Sequence, residues 1–266
     1  MIRPLWKFLI TLSVVLSPVH LRARLAVALE PFPDRLIVLT DLEGRQANLN
    51  IAIDNGDFEL STTESGPRLD FTDSHSEFIF AGDLFDRGKD SIKLRRMLLD
   101  LKKRYPERVT FLWGNREINK LTLLRDLPRL RQEFGNDSHK IVQSWAEAQG
   151  LTQVLSYHQL ELSEQLSRPL TLAEAATDFI KQVQPGGEIF EFIRLGQIGK
   201  IVGNTLFVHG GVTDRNFGEI PGSSHKIPNA RNWIERLNSW GQSQLNAIET
   251  SAKSGLPLNT LLLTYG

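Results

Sequence analysis

The chain has no cysteine and only two methionines among its 266 residues. Disulfides, zinc–thiolate sites and cysteine nucleophiles are therefore excluded. Any metal must be held by His, Asp, Glu or Asn. The missing cysteine identifies no compartment. Charge of one sign is lacking too: Lys+Arg and Asp+Glu both number 31, for a formal net charge of zero. Such a balance offers no general attraction to a polyanion, so nucleic acid is not an expected partner. The sequence has no internal repeat and no low-complexity stretch. Outside Phe8–Val19, long apolar runs are missing as well. That run is too short to span a bilayer comfortably, so no stable membrane span is expected.

The N-terminus reads as a segment apart. Arg3 and Lys7 precede the apolar run, and "AVA" at 26–28 follows with small residues at a cleavage-like spacing. These are the proportions of a signal-peptide core. Arg22 and Arg24 lie between the run and the small residues, which is awkward for a secretory signal. Organelle targeting and a helix packed on the domain are the other readings. Cleavage would mean export or an organelle; otherwise the chain is cytoplasmic. Residues 1–30 are set aside, and 31–266 form the folded unit.

That unit has an ordinary globular composition, 41% hydrophobic and 23% charged. Its length suits one large domain, or one with an insertion. Four short apolar runs share a grammar. "RLIVLT" (35–40) ends at Asp41, "EFIFA" (77–81) at Gly82-Asp83, "VTFLW" (109–113) at Gly114-Asn115, and "TLFV" (205–208) at His209-Gly210. Runs rich in β-branched and aromatic residues that stop at glycine or a small polar residue predict strands. Their continuous apolarity suits strands buried on both faces and covered by helices. Residues 54–76 read as a turn-rich connection or an edge hairpin.

Helical periods lie between the strands. Leu94, Met97, Leu98, Leu101 and Tyr105 mark a helix over 91–107, with Asp90 or Ser91 at its start and Pro106 at its end. Trp233, Leu237, Trp240 and Leu245 mark another over 229–250, with Gly241 an interruption. Residues 118–200 are mostly helical in period, punctuated by Pro128, Pro169 and Pro185-Gly186-Gly187, and read as a helical insertion.

The polar strand ends are where chemistry is expected. In an α/β sheet, ligands bind beyond the carboxyl ends of the strands. Four ends deliver Asp41, Asp83, Asn115 and His209, oxygen and imidazole donors that can converge on one metal centre. "GDLFDRG" (82–88) fixes five positions. By average residue usage such a string arises by chance in roughly one chain in ten thousand of this length. "GNRE" (114–117) and "HGG" (209–211) are weak alone, and their order after apolar runs strengthens the set. Mixed oxygen and nitrogen donors suit Mn, Fe or Zn better than calcium.

With "DLEG" (41–44), "GDLFDRG", "GNRE" and "HGG", the sequence resembles the calcineurin-like metallophosphoesterases, in particular their phosphoprotein-phosphatase branch. That family reads Asp-x-His-Gly, Gly-Asp-x-x-Asp-Arg-Gly, Gly-Asn-His-Glu, His-Gly-Gly, and later one more His. The resemblance spans about 36–212 apart from the insertion. It implies an α/β fold of the family's type: a β-sandwich flanked by helices, α/β/β/α, with 118–200 as a cap over the metal edge. It also implies two divalent ions, with Asp41 and the residue at Glu43 on the first, Asp83 bridging, and Asn115 and His209 on the second. Arg87 would grip a phosphate oxygen, and Asp86 would orient a neighbouring group or the bridging water. A water between the ions would then attack phosphorus directly.

Three departures stand out. Glu43 replaces a metal-binding His and adds negative charge, shifting the first site toward Mn or Mg. Arg116 replaces the His that protonates the leaving group; arginine cannot donate a proton near neutrality, but it can stabilise phosphate charge. The late His has no counterpart: after His209 only His225 remains, in the loop-like stretch 222–228, and the ending "LNTLLLTYG" reads as a truncated chain. His20, His75, His139 and His158 have no ligand-like spacing.

The expected activity is metal-dependent hydrolysis of phosphate monoesters, with phosphoprotein the substrate class that the resemblance implies. A pseudophosphatase that binds phosphate or a partner without turnover is one alternative. A metallophosphoesterase of nucleotides or other small phosphates is another.

Overall fold

A computed structural model of the chain describes residues 32–64, 66–254, 258 and 260–264. The targeting-like segment 1–30 lies outside the described residues. In chain order the elements are β1 (Leu36–Leu39), α1 (Gln46–Asp54), β2 (Phe58–Thr63), β3 (Gly66–Phe71), β4 (Glu77–Phe80), α2 (Ser91–Arg104), β5 (Val109–Leu112) and α3 (Asn115–Phe134). There follow α4 (Ser138–Ala148), α5 (Val154–Gln165), α6 (Leu172–Val183), α7 (Glu188–Arg194), β6 (Gly196–Gln197), β7 (Gly199–Val202), β8 (Thr205–Val208) and α8 (Ala230–Ser254). Among the described residues, no helix is long and apolar enough to cross a membrane.

The central sheet is parallel, in the order β1-β4-β5-β6. Two antiparallel hairpins, β2-β3 and β7-β8, stand apart from it. The alternation of a strand places its side chains on opposite faces. On one face, Phe78, Phe80 and Phe111 join the main core with residues of α2, α3, α6 and α7, and Phe111 stacks on Phe192 at 4.7 Å. On the other, Ile79 and Leu112 meet Val202 and Phe207 of the β7-β8 hairpin. Beyond the hairpin, Trp233, Ile234 and Leu237 of α8 pack on Ile201, Leu206 and Val208. The layers therefore run helices, parallel sheet, hairpin, helix, in the expected order.

Several elements differ in detail from the sequence reading. The strand 205–208 forms, but it belongs to the hairpin layer, and the two-residue β6 takes the fourth place in the parallel sheet. The reason is length: β7 and β8 are joined by a tight turn at Gly203, which allows only antiparallel pairing. The stretch 58–71 is a hairpin, in register from Phe58↔Phe71 to Thr63↔Gly66. Pro128 does not end a helix. α3 runs through it, held by the buried Leu121, Leu124, Leu127 and Leu130. α8 likewise runs through Gly241, where a Cβ would come within 2.8 Å of the Trp113 ring. Helix and indole approach closely there because the position carries no side chain.

Candidate metal centre

Two loops build the floor of the site. Residues 41–45 follow β1, and 82–90 follow β4. Backbone bonds zip them together: Asp41 N–H donates to the Gly82 carbonyl (2.9 Å), Glu43 N–H to the Asp83 carbonyl (2.9 Å), and Arg87 N–H to the Glu43 carbonyl (3.0 Å). This pairing bends the chain into the left-handed region at Asp41 (φ 55°), Glu43 (φ 50°), Asp83 (φ 61°) and Asp86 (φ 93°). Ser167 is the one other non-glycine with positive φ among the described residues. Such conformations cost about 1–3 kcal/mol each and gather at functional sites. Four of them fall on the four acidic residues that the motifs singled out.

Glu117 holds this strained backbone in place. Its carboxylate, fully buried, accepts N–H bonds from Asp83 and Leu84 (2.9 Å each) and from Gly114 (2.8 Å). It thus ties the loop after β4 to the start of α3. Burial raises its pKa, and the three amides offset part of that shift.

The donors converge on Asp83. Asp41, Glu43 and Asp83 each offer a carboxylate oxygen, and these oxygens lie within 4.8 Å of one another, close enough to hold a metal ion. The Asn115 amide lies 3.1 and 3.2 Å from the two Asp83 oxygens. With its nitrogen toward Asp83 it donates to the carboxylate. With its oxygen there, acceptor faces acceptor, and a cation between the two groups reconciles them. His209 Nε2 lies 3.5 Å from Asp83 Oδ1, and its Nδ1 lies 2.7 Å from the Ala81 carbonyl. A carbonyl can only accept, so Nδ1 carries a proton, and Nε2 is the nitrogen left to take a metal beside Asp83. That is the usual posture of a metal-ligating histidine. The residues present therefore fit a divalent ion on the Asp83–Asn115–His209 side.

Fixed cations fill the rest of the site. Arg87 Nη1 pairs with Glu43 Oε1 at 2.7 Å while its side chain stays half exposed. Arg116 lies 3.8 Å from Asp83 Oδ2, 3.8 Å from Asp86 Oδ2 and 4.0 Å from Glu43 Oε1. Glu117, its neighbour in sequence, is not among these partners. Lys120 Nζ pairs with Asp86 Oδ2 at 2.6 Å, and both side chains are wholly buried.

All eight sequence-named residues thus sit in one cluster, built from loops and the first turn of α3: Asp41, Glu43, Asp83, Asp86, Arg87, Asn115, Arg116 and His209. Sequence reasoning passed over Glu117 and Lys120. The signal for Glu117 was its place at the third position of α3, where a carboxylate can turn back to a free N–H. No local pattern marked Lys120. His225 is exposed and bonds Ser223 and Ser224, and His158 is buried against Asp178 at 2.8 Å, as a satisfied histidine.

The chain is similar to the serine/threonine-protein phosphatase 6 catalytic subunit of Drosophila melanogaster, 48% identical over 48 residues, 18% of this chain and 16% of that one. It is also similar to serine/threonine-protein phosphatase SIT4 of Candida albicans, 33% identical over 94 residues, 35% of this chain and 27% of that one. The matches therefore span less than a third of either relative. Among solved structures, a cold-active protein tyrosine phosphatase aligns at 15% identity and a TM-score of 0.47, over 86% of this chain and 58% of that one. The calcineurin-like phosphoesterase model matches residues 35–248, which take in both zipped loops, the start of α3 and His209. With the motifs, the layer order and this match over most of its length in agreement, the chain belongs to the calcineurin-like phosphoesterase family.

Proposed function

We propose that the chain hydrolyses phosphate monoesters with the help of a divalent metal, Mn, Fe or Zn, and that its substrates are phosphorylated proteins. The relatives' names motivate that substrate class. One observation carries the reading: Asp83 is the common neighbour of Asn115, His209 and Arg116, and shares an oxygen cluster with Asp41 and Glu43.

A divalent ion held there would supply Lewis acidity and make water a better nucleophile near neutral pH. The chain's own residues do the rest. Arg87, half exposed at the rim, is placed to grip a phosphate oxygen with a planar fork of donors. Arg116 is fixed beside the carboxylates as a permanent charge and can stabilise negative charge building on the phosphoryl group. It cannot give up a proton, so the leaving oxygen takes one from water or departs as a weak base. Asp86 is held by Lys120 and is not free to orient solvent through Oδ2. Within 118–200, α3, α6 and α7 pack on the parallel sheet, which leaves α5 to act as a cap. In support, Tyr157 and His158 of α5 line a small cavity together with Asp86, Ser91, Arg95 and Lys120.

The test is hydrolysis of an aryl phosphate by Mn-loaded chain, beside Asp83→Asn. Asp83→Asn should lower the rate by roughly 10²-fold or more. No turnover, or turnover that Asp83→Asn leaves intact, defeats the reading. Turnover of nucleotides in preference to phosphopeptides would move the substrate class to small phosphates.

A further inference from the structure

The Arg116 guanidinium sits among three carboxylates without a close bond to any of them. Its contacts to Glu43, Asp83 and Asp86 are all 3.8–4.0 Å, and its buried Nε has no hydrogen-bond partner. The closer contacts of two of those carboxylates go elsewhere, Glu43 to Arg87 and Asp86 to Lys120. Arg116 therefore occupies a position set by charge.

Asp83 divides the site into two halves. Its Oδ1 faces His209 Nε2 and accepts the Arg116 backbone N–H at 2.9 Å. Its Oδ2 faces the Arg116 side chain. On the first side stands an imidazole, and the Asn115 amide spans both oxygens, 3.2 Å from Oδ1 and 3.1 Å from Oδ2. On the second stand Glu43 and a guanidinium.

The charge count is lopsided in the same way. Asp41, Glu43, Asp83 and Asp86 bring four negative charges, and Arg87, Arg116 and Lys120 bring three positive ones. One divalent ion would leave the cluster at one positive charge. Two would leave three, with the second ion beside a guanidinium that already lies within 4.0 Å of Glu43 and Asp83. Like charges so placed repel one another.

We infer that Arg116 is a built-in cation standing in place of one metal ion, and that the centre takes a single divalent ion through Asp83, Asn115 and His209. The inference rests on the metal-dependent reading above and concerns its stoichiometry. Glu43, with Arg87 and Arg116 beside it, is then a positioning residue for the two arginines and not a ligand.

The experiment uses the full chain, stripped with chelator and titrated with Mn²⁺ by calorimetry, with native mass spectrometry and EPR in parallel. Wild type should take up one equivalent and show the hyperfine pattern of isolated Mn(II). Arg116→Gln should take up a second equivalent and show exchange coupling, while Arg116→Lys should stay at one. Asp41→Asn should keep the single ion with little change in affinity, and His209→Ala should lose it. Two coupled ions in wild type, no bound ion at all, or a single ion that depends on Asp41 and not on His209, would each overturn the inference. If Arg116→Gln does not fold, the wild-type count and the Asp41 and His209 variants still decide. The phosphatase reading fails separately, by absence of aryl phosphate hydrolysis, whatever the ion count.

Discussion

Lys120 and Asp86 form an ion pair of 2.6 Å in which neither side chain reaches solvent. Lys120 also lies over the rings of Phe85 (5.2 Å) and Trp145 (5.7 Å), which close it from water. Its ammonium reaches the Arg116 carbonyl at 3.3 Å, so one cation ties the loop after β4 to the first turn of α3. Removing one member of such a pair strands the other charge in the interior.

Lys120→Met should therefore destabilise the fold by about 3–5 kcal/mol. Adding Asp86→Asn should restore part of the loss, because no unpaired charge then remains. Urea denaturation of the single and double variants checks this. A double variant no more stable than Lys120→Met would mean that the pair is not the source of the loss.

Glu117→Gln replaces one carboxylate oxygen by an amide nitrogen facing N–H donors. At least one of the bonds from Asp83, Leu84 and Gly114 must break. The expected cost is about 1–3 kcal/mol of stability. Metal affinity should fall with it, since Asp83 sits on the backbone that Glu117 holds. Thermal unfolding and a Mn²⁺ titration, run side by side, measure both.

Gly82→Ala tests how closely the two loops and β8 approach. Gly82 has φ +94°, and a Cβ there would lie 2.6 Å from Gly114 N and 2.8 Å from His209 Nδ1. The methyl group should displace His209 from the Ala81 carbonyl and cost about 1–3 kcal/mol. The His209 ring resonances should shift in the NMR spectrum. An unchanged spectrum with full stability would contradict the described approach.

Glu161 gives a pH dependence away from the metal centre. From α5 it accepts the N–H groups of Ile92 and Lys93, at 2.7 Å each, at the start of α2. Burial pushes its pKa up from 4.5 to about 7, against the two amides and Arg95, with Asp90 adding a smaller upward push. The folded state thus binds this proton more tightly than the unfolded chain. Its stabilising contribution is fully present below pH 4.5 and is lost as pH rises through about 7. The change is at most about 3 kcal/mol. Glu161→Gln, which keeps an uncharged acceptor, should flatten the stability profile across that window. A profile of unchanged slope would rule out Glu161 as its origin.

Arg87→Ala should weaken the grip on phosphate without unfolding the chain, since the side chain is half exposed. Loss of hydrogen bonds to a charged group corresponds to roughly tenfold weaker inhibition by inorganic phosphate. Competition assays against an aryl phosphate measure it.

The sequence by itself determined the strand ends and the chemistry placed on them. Runs such as "EFIFA" stop abruptly at Gly82-Asp83, and the polar residue that ends such a run lies at the sheet's carboxyl edge. The helix from Ser91 was legible because side-chain period is a local signal, while the hairpin of β2 and β3 was one of two readings of the turn-rich stretch 54–76. Only the tertiary structure decided how charges are shared. Lys120 finds Asp86 34 residues away, Glu117 finds the backbone of Asp83 and Leu84, and Arg116 lies among Glu43, Asp83 and Asp86. Pairings of this kind depend on burial and on distances across the fold, which no window of sequence carries. The same holds for the left-handed backbone at Asp41, Glu43, Asp83 and Asp86, which the hydrogen bonds between two distant loops impose on residues that would not adopt it alone.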